Sequence, residues 1–311
     1  MHIIGVVSSY SIKEVLFVKK LACLILALVL VLSLATMASA EGKVFGYTCM
    51  TMNNPFFIVL EAAIREKVEA QGDELVTLDP HMDVALQISQ IEDLLVRDID
   101  GIFVNPVDWE GIRPALVSLK EAGVPIVNFD TEVKDLEEFV TAYAGSNNYN
   151  AGKVCGDELV KRHPEGGNIV ILDSPTMNSV NDRIKGFTEA IKDKGFTVVA
   201  QQDAKGDLQT AMGLMDDILQ KEQNIVAVMG GNDPTALGVL ASCKSAGRSE
   251  IEIYGVDGSP EAKAAIAEGG QFIASGAQSP KSIGYDSVTV MNKILNKETF
   301  EFRTPVETFL I

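Results

Sequence analysis

From residue 44 onward the sequence predicts an α/β protein of two similar lobes, each a doubly wound parallel sheet, joined by a hinge that the chain crosses several times. Three observations predict it. Short β-branched runs alternate with apolar helical periods, the order that packs helices on both faces of a parallel sheet. The alternation restarts after Ser146. The second half also repeats the first in register. Thr51-Met52-Asn53 returns as Thr176-Met177-Asn178, and Asn105 and Asp130 lie 25 residues apart, as do Asn232 and Asp257.

Strands are expected at 44–49, 74–78, 101–104 and 126–129, with a short one at 139–143. Between them, residues 56–70, 84–96 and 112–122 carry apolar side chains at spacings of three and four. In the second half, strands are expected at 169–172, 197–200, 225–229, 251–256 and 272–275. Helices are expected at 151–162, 180–194, 208–220, 235–245 and 260–268. Gly195 and Gly247 stand where helix ends favour a left-handed residue. A last helix runs from Ser279-Pro280 to about residue 295, before extended stretches at 300–302 and 306–310. These last elements would return to the first lobe and then to the second.

The first forty residues follow another pattern. Lys13, Lys19 and Lys20 precede an apolar run, and Ala38-Ser39-Ala40 follows it, the order of a cleaved secretory leader over 1–40. The run is shorter than the roughly 20 residues of a spanning helix. Removing a leader with three lysines and one glutamate takes the net charge from −17 to about −19. A surface that acidic repels nucleic acid. Cys49, Cys155 and Cys243 are widely spaced inside expected strands or helices, which predicts buried free thiols. His81 and His163 have no cysteine or carboxylate at metal spacing, so neither a metal site nor a cofactor is expected.

The stretch 51–57 joins the first strand to the first helix. Asn54 is placed to cap that helix, Pro55 suits its first position, and Phe56 and Phe57 follow. In open α/β sheets ligands bind at the carboxyl ends of strands, and Asn105, Asp130, Asn232 and Asp257 occupy such ends too. Amides that donate and accept, carboxylates that accept from hydroxyls, and rings that cover C–H faces suit a small neutral sugar or polyol. Core filling by the rings, and capping or turn chemistry for the aspartates, are the alternatives. No glycine-rich phosphate loop or serine elbow is present, and no histidine lies near these strand ends. Two facing carboxylates could serve a glycosidase, but nothing in the sequence separates their pKa values, so binding is the better reading.

Together Asn53-Asn54-Pro55-Phe56-Phe57, Asn105-Pro106-Val107-Asp108, the segment from Gly231 to Gly238, Gly255-Val256-Asp257-Gly258 and Ala277-Gln278 resemble the ribose-binding type of periplasmic sugar-binding protein, from Lys43 to the C-terminus. The resemblance implies the type 1 periplasmic binding protein fold, an extracytoplasmic solute binder, and an ABC importer permease as partner. A chemoreceptor or sensor kinase is the alternative partner. It implies pocket roles for Asn54, Phe56, Phe57, Asn105, Asp130, Asn232, Asp257 and Gln278. Crossings near Ser146, Gln278 and Thr304 would divide the chain into 41–146 plus 279–303 and 147–278 plus 304–311. It also implies departures. Thr131 and Asn181 stand where pocket arginines are expected, with Arg183 outside the pocket, and Gly206 or a neighbour and Val256 replace aromatic wall residues. Loss of two guanidiniums would remove fixed donors and make ribose a poor fit.

Overall fold

A computed structural model describes residues 42–311, so the expected leader lies outside the described residues. The chain forms β1 (Val44–Thr48), α1 (Pro55–Glu69), β2 (Glu74–Leu78), α2 (Val84–Val96), β3 (Gly101–Val104), α3 (Arg113–Glu121), β4 (Ile126–Phe129), α4 (Leu136–Phe139) and β5 (Ala142–Ser146). It continues as α5 (Asn148–Arg162), β6 (Gly167–Asp173), α6 (Asn178–Ile191), β7 (Phe196–Asp203), α7 (Leu208–Lys221), β8 (Ile225–Gly230), α8 (Asp233–Ser245), β9 (Glu252–Asp257), α9 (Pro260–Ala267) and β10 (Phe272–Ala277). The chain ends in α10 (Pro280–Leu295), β11 (Arg303–Val306) and β12 (Phe309–Leu310).

Two six-stranded sheets result. Their orders are β11-β5-β4-β3-β1-β2 and β12-β10-β9-β8-β6-β7. Every pairing is parallel except β10 with β12. Each order doubles back on the first strand of its lobe, so the polar strand ends flank a topological switch point. Strands such as Ile169 to Leu172 are wholly buried and read as unbroken apolar runs, as a sheet covered on both faces requires.

Two expectations are corrected. Phe139 belongs to α4 and not to a strand beginning at 139. Leu136 and Phe139, three apart, bury on one side of that single turn, and the strand starts at Ala142. The third crossing, expected near Thr304, lies at Glu307–Thr308, because Arg303 to Val306 pair with Tyr143 to Ser146 in the first sheet. Pro305 is tolerated there because β11 is an edge strand. The other crossings are Asn147, between β5 and α5, and Gln278–Ser279, between β10 and α10. Asn150 Nδ2 donates to Thr308 Oγ1 at 3.1 Å, tying the first crossing to the third.

Helices α5 and α6 pack backbone against backbone. A Cβ on Gly152 would land on the Arg183 carbonyl, and one on Gly186 on the Tyr149 carbonyl. Glycine at these positions brings the two backbones together and fixes where α6 presents Arg183.

Candidate functional site

Asn54 caps α1 by accepting from Phe56 N at 2.9 Å, and Pro55 opens the helix. Phe56 and Phe57 then follow at the strand end. Their rings meet edge to face at 5.3 Å between centroids, and Phe57 leans on Phe129. Both rings are buried in the core and both line a cavity of about 600 Å³ between the two strand-end faces. Each ring is thus part of the core and of the cavity wall at once.

Asp130 and Asp257, equivalent in the repeat, each leave their strand with positive φ, 58° and 136°. Non-glycine residues in that region are uncommon and gather at functional sites. Asn128, with Nδ2 on the Thr131 carbonyl at 2.9 Å and Oδ1 accepting from Val133 N at 3.2 Å, holds the first turn. Asp233, accepting from Ser259 N and Ser275 Oγ at 2.7 Å each, holds the second.

Arg183 reaches both aspartates. Its Nη2 lies 3.8 Å from Asp130 Oδ1 and its Nη1 3.4 Å from Asp257 Oδ1. Nε donates to Asn148 Oδ1 at 2.8 Å and Nη1 to the Gly231 carbonyl at 3.0 Å. The guanidinium is buried and lines the cavity. Arg183 is thus the pocket arginine and Asn181 is not: Asn181 turns back to donate to the Pro175 carbonyl at 3.0 Å and does not line the cavity. Two positions apart on a helix, these side chains cannot share a face.

The remaining expected residues divide. Asn54, Asn232 and Gln278 line the cavity. Asn232 also caps α8 through Thr235 N at 2.9 Å and donates to the Gly206 carbonyl at 3.0 Å. Gln278 donates to Asp257 Oδ1 at 2.8 Å. Asn105 and Thr131 lie behind the wall. Asn105 donates to Asp130 Oδ2 at 3.2 Å, and Thr131 shares a 2.7 Å hydrogen bond with Ser179 of the other lobe. Gln87, which sequence reasoning missed, donates to Thr48 Oγ1 at 3.0 Å and the Asn105 carbonyl at 2.9 Å, joining two strand ends. Val256 is core and does not line the cavity. Among the buried oxygens of the described residues that lack a hydrogen-bond partner are Asp130 Oδ1 and Gln278 Oε1, both from cavity-lining residues, and Asn105 Oδ1 behind the wall.

Burial, with Arg183 opposing, raises the carboxyl of Asp130 above the ordinary range. Burial also pushes Asp257 up to about 8, Arg183 opposing and Asp233 and Asp130 adding to the rise. The folded protein therefore holds protons on these groups that the unfolded chain releases above about pH 4. That contribution to stability is fully present below pH 4 and is lost as the pH rises to about 8. The melting temperature of the ligand-free protein is expected to fall across this window, and Asp257→Asn to flatten the fall. Melting curves at intervals from pH 5 to 8.5 check it.

Comparison with known proteins agrees with this geometry. Residues 45–299 match a family model described as a periplasmic binding protein domain. The chain is 30% identical over 294 residues to the ribose import binding protein of Escherichia coli, covering 94% of this chain and 98% of that one. It is similar to a Mycobacterium smegmatis ABC transporter solute binding protein with bound glycerol, at 28% identity and TM-score 0.82, covering 87% of this chain and 94% of the other. A Bacillus halodurans ABC transporter solute binding protein with bound myo-inositol is also 28% identical, at TM-score 0.81, with 88% and 96% covered.

Proposed function

The chain belongs to the periplasmic binding protein family, and from that premise we propose that it is an extracytoplasmic solute-binding protein that closes on a neutral monosaccharide or polyol and delivers it to an ABC-type importer. The observation that carries this reading is the pair of acceptor oxygens without hydrogen-bond partners, on the cavity-lining residues Asp130 and Gln278, in a cavity whose buried cationic donor is Arg183. Hydroxyl groups donate to such oxygens and accept from such a guanidinium. The rings of Phe56 and Phe57 offer flat surfaces to a sugar's C–H faces. Binding and not catalysis is the role these groups support.

Asp130 belongs to the first lobe and Asp257, Asn232 and Arg183 to the second. A ligand contacting both sets favours the closed arrangement by its differential contact energy. Three crossings act as the hinge. The two lobes also touch directly, since Trp109 N donates to the Thr176 carbonyl at 3.0 Å. The Trp109 side chain lies outside the cavity, near Lys134.

A thermal-shift screen of the chain from residue 41 tests the proposal against pentoses, hexoses, deoxysugars, inositols and amino acids. At least one uncharged polyol is expected to raise the transition by mass action. A response confined to amino acids or anionic metabolites would contradict it. For the responding polyol, Asp130→Asn is expected to weaken binding roughly 10- to 100-fold, as loss of one charge-assisted hydrogen bond of about 1.5–3 kcal/mol implies.

A further inference from the structure

The cavity has two chemically different parts. Its inner end carries Asp130, Arg183, Asp257 and Gln278, all buried. Its rim mixes charged side chains, among them Lys205, Asp207 and Lys263, with four apolar ones: Val59 and Met82 from the first lobe, Leu208 and Leu237 from the second. Val59 and Met82 keep 43% and 36% of their surface exposed, so they are not absorbed into the core. About 600 Å³ falls within the usual range of ligand pockets.

Twin loops build the rim. Asp79-Pro80-His81-Met82-Asp83 precedes α2, and Asp203-Ala204-Lys205-Gly206-Asp207 precedes α7. In each, the first aspartate accepts from the backbone N–H two residues on, at 2.9 Å for His81 and 2.8 Å for Lys205. In each, the last aspartate caps the following helix. Two consecutive residues have positive φ in both: 51° and 65° at His81 and Met82, 55° and 65° at Lys205 and Gly206. Glycine adopts this backbone without strain, whereas methionine does not. Met82 therefore carries strain that its counterpart avoids, in a position that turns a flexible, polarisable side chain toward the cavity. Gly206 lines the same cavity from the second lobe, where an added Cβ would press on Asn232 Nδ2 at 3.0 Å and Met177 Cε at 3.5 Å.

Resting on the sugar-binding reading of the inner end, we propose that the rim is a second subsite that takes an apolar substituent, so that the ligand is a glycoside with an apolar aglycone and not a free monosaccharide. The hydroxyls meet the aspartates and Arg183, and the aglycone lies among Val59, Met82, Leu208 and Leu237.

Calorimetric titration with free pentoses and hexoses, and with the methyl and phenyl glycosides of each, tests this. The phenyl glycoside of the preferred sugar is expected to bind at least tenfold more tightly than the free sugar. Met82→Gly should cut that ratio at least threefold while raising the melting temperature of the unliganded protein, a pairing that a purely structural role for Met82 would not produce. Free sugar binding as well as its glycosides, or a ratio unchanged by Met82→Gly, overturns the second subsite and leaves the sugar reading standing. A sugar phosphate or uronic acid that outcompetes both forms, drawn by Lys205 and Lys263 at the rim, overturns the apolar assignment. Absence of binding by every sugar and glycoside removes the sugar reading itself, and this inference with it.

Discussion

Replacing Arg183 with methionine is expected to destabilise the ligand-free protein by about 3–5 kcal/mol at pH 8, the cost of leaving buried carboxylates without their cation. Asp130 and Asp257 would then face each other with no guanidinium between them, and the Asn148 Oδ1 and Gly231 carbonyl contacts would be lost as well. The loss should shrink toward pH 5, where both carboxyls, already raised by burial, bind protons and need no counter-charge. Chemical denaturation at the two pH values reads the difference. Equal losses at pH 5 and pH 8 would mean that packing, and not charge, is what Arg183 contributes. Ligand binding should fail at both, because no other cationic side chain from the buried wall lines the cavity among the described residues.

The second large effect is steric. Gly152→Ala in α5 would gain helix propensity, roughly 0.5–1 kcal/mol, yet its Cβ falls on the Arg183 carbonyl, which is backbone and has no rotamer to escape through. Overpacking of this kind costs about 1–3 kcal/mol and occasionally more, and with backbone as the obstacle the upper end is expected. Gly186→Ala, aimed at the Tyr149 carbonyl, should behave alike. Either change moves α6 and with it Arg183, so affinity should fall together with stability. Gly213→Ala serves as the control, since nothing lies within 4 Å of its Cβ, and it should be neutral or slightly stabilising.

Much of this was legible before any coordinates. Asn54-Pro55 announced a capped helix at a strand end, and the matched interval between Asn105 and Asp130, and between Asn232 and Asp257, pointed to paired lobes. The aspartates at 130 and 257 do come together, joined through Arg183. Asn105 and Thr131 were read as pocket residues and stand one layer behind it, because residue type does not reveal depth. The confusion of Asn181 with Arg183 had a remedy in the sequence. Val180, Ile184, Phe187 and Ile191 repeat at spacings of three and four, and Arg183 falls on that buried face while Asn181 falls beside it. An arginine on the apolar face of a helix is itself a signal. The twin rim loops were missed because their likeness lies in backbone angles and in two aspartates four apart, with nothing alike between His81-Met82 and Lys205-Gly206 as side chains. Extended stretches are expected at 300–302 and 306–310, yet β11 spans Arg303–Val306 between them, because an edge strand containing Pro305 carries little periodic signal.

The account stands on a ligand held by both lobes at once, and calorimetric titration of the responding polyol into the wild type, Asp130→Ala and Asp257→Ala tests that most directly. One site per chain is predicted, with affinity lowered at least tenfold by each substitution although the two residues lie on different lobes. Wild-type affinity in either variant would contradict it.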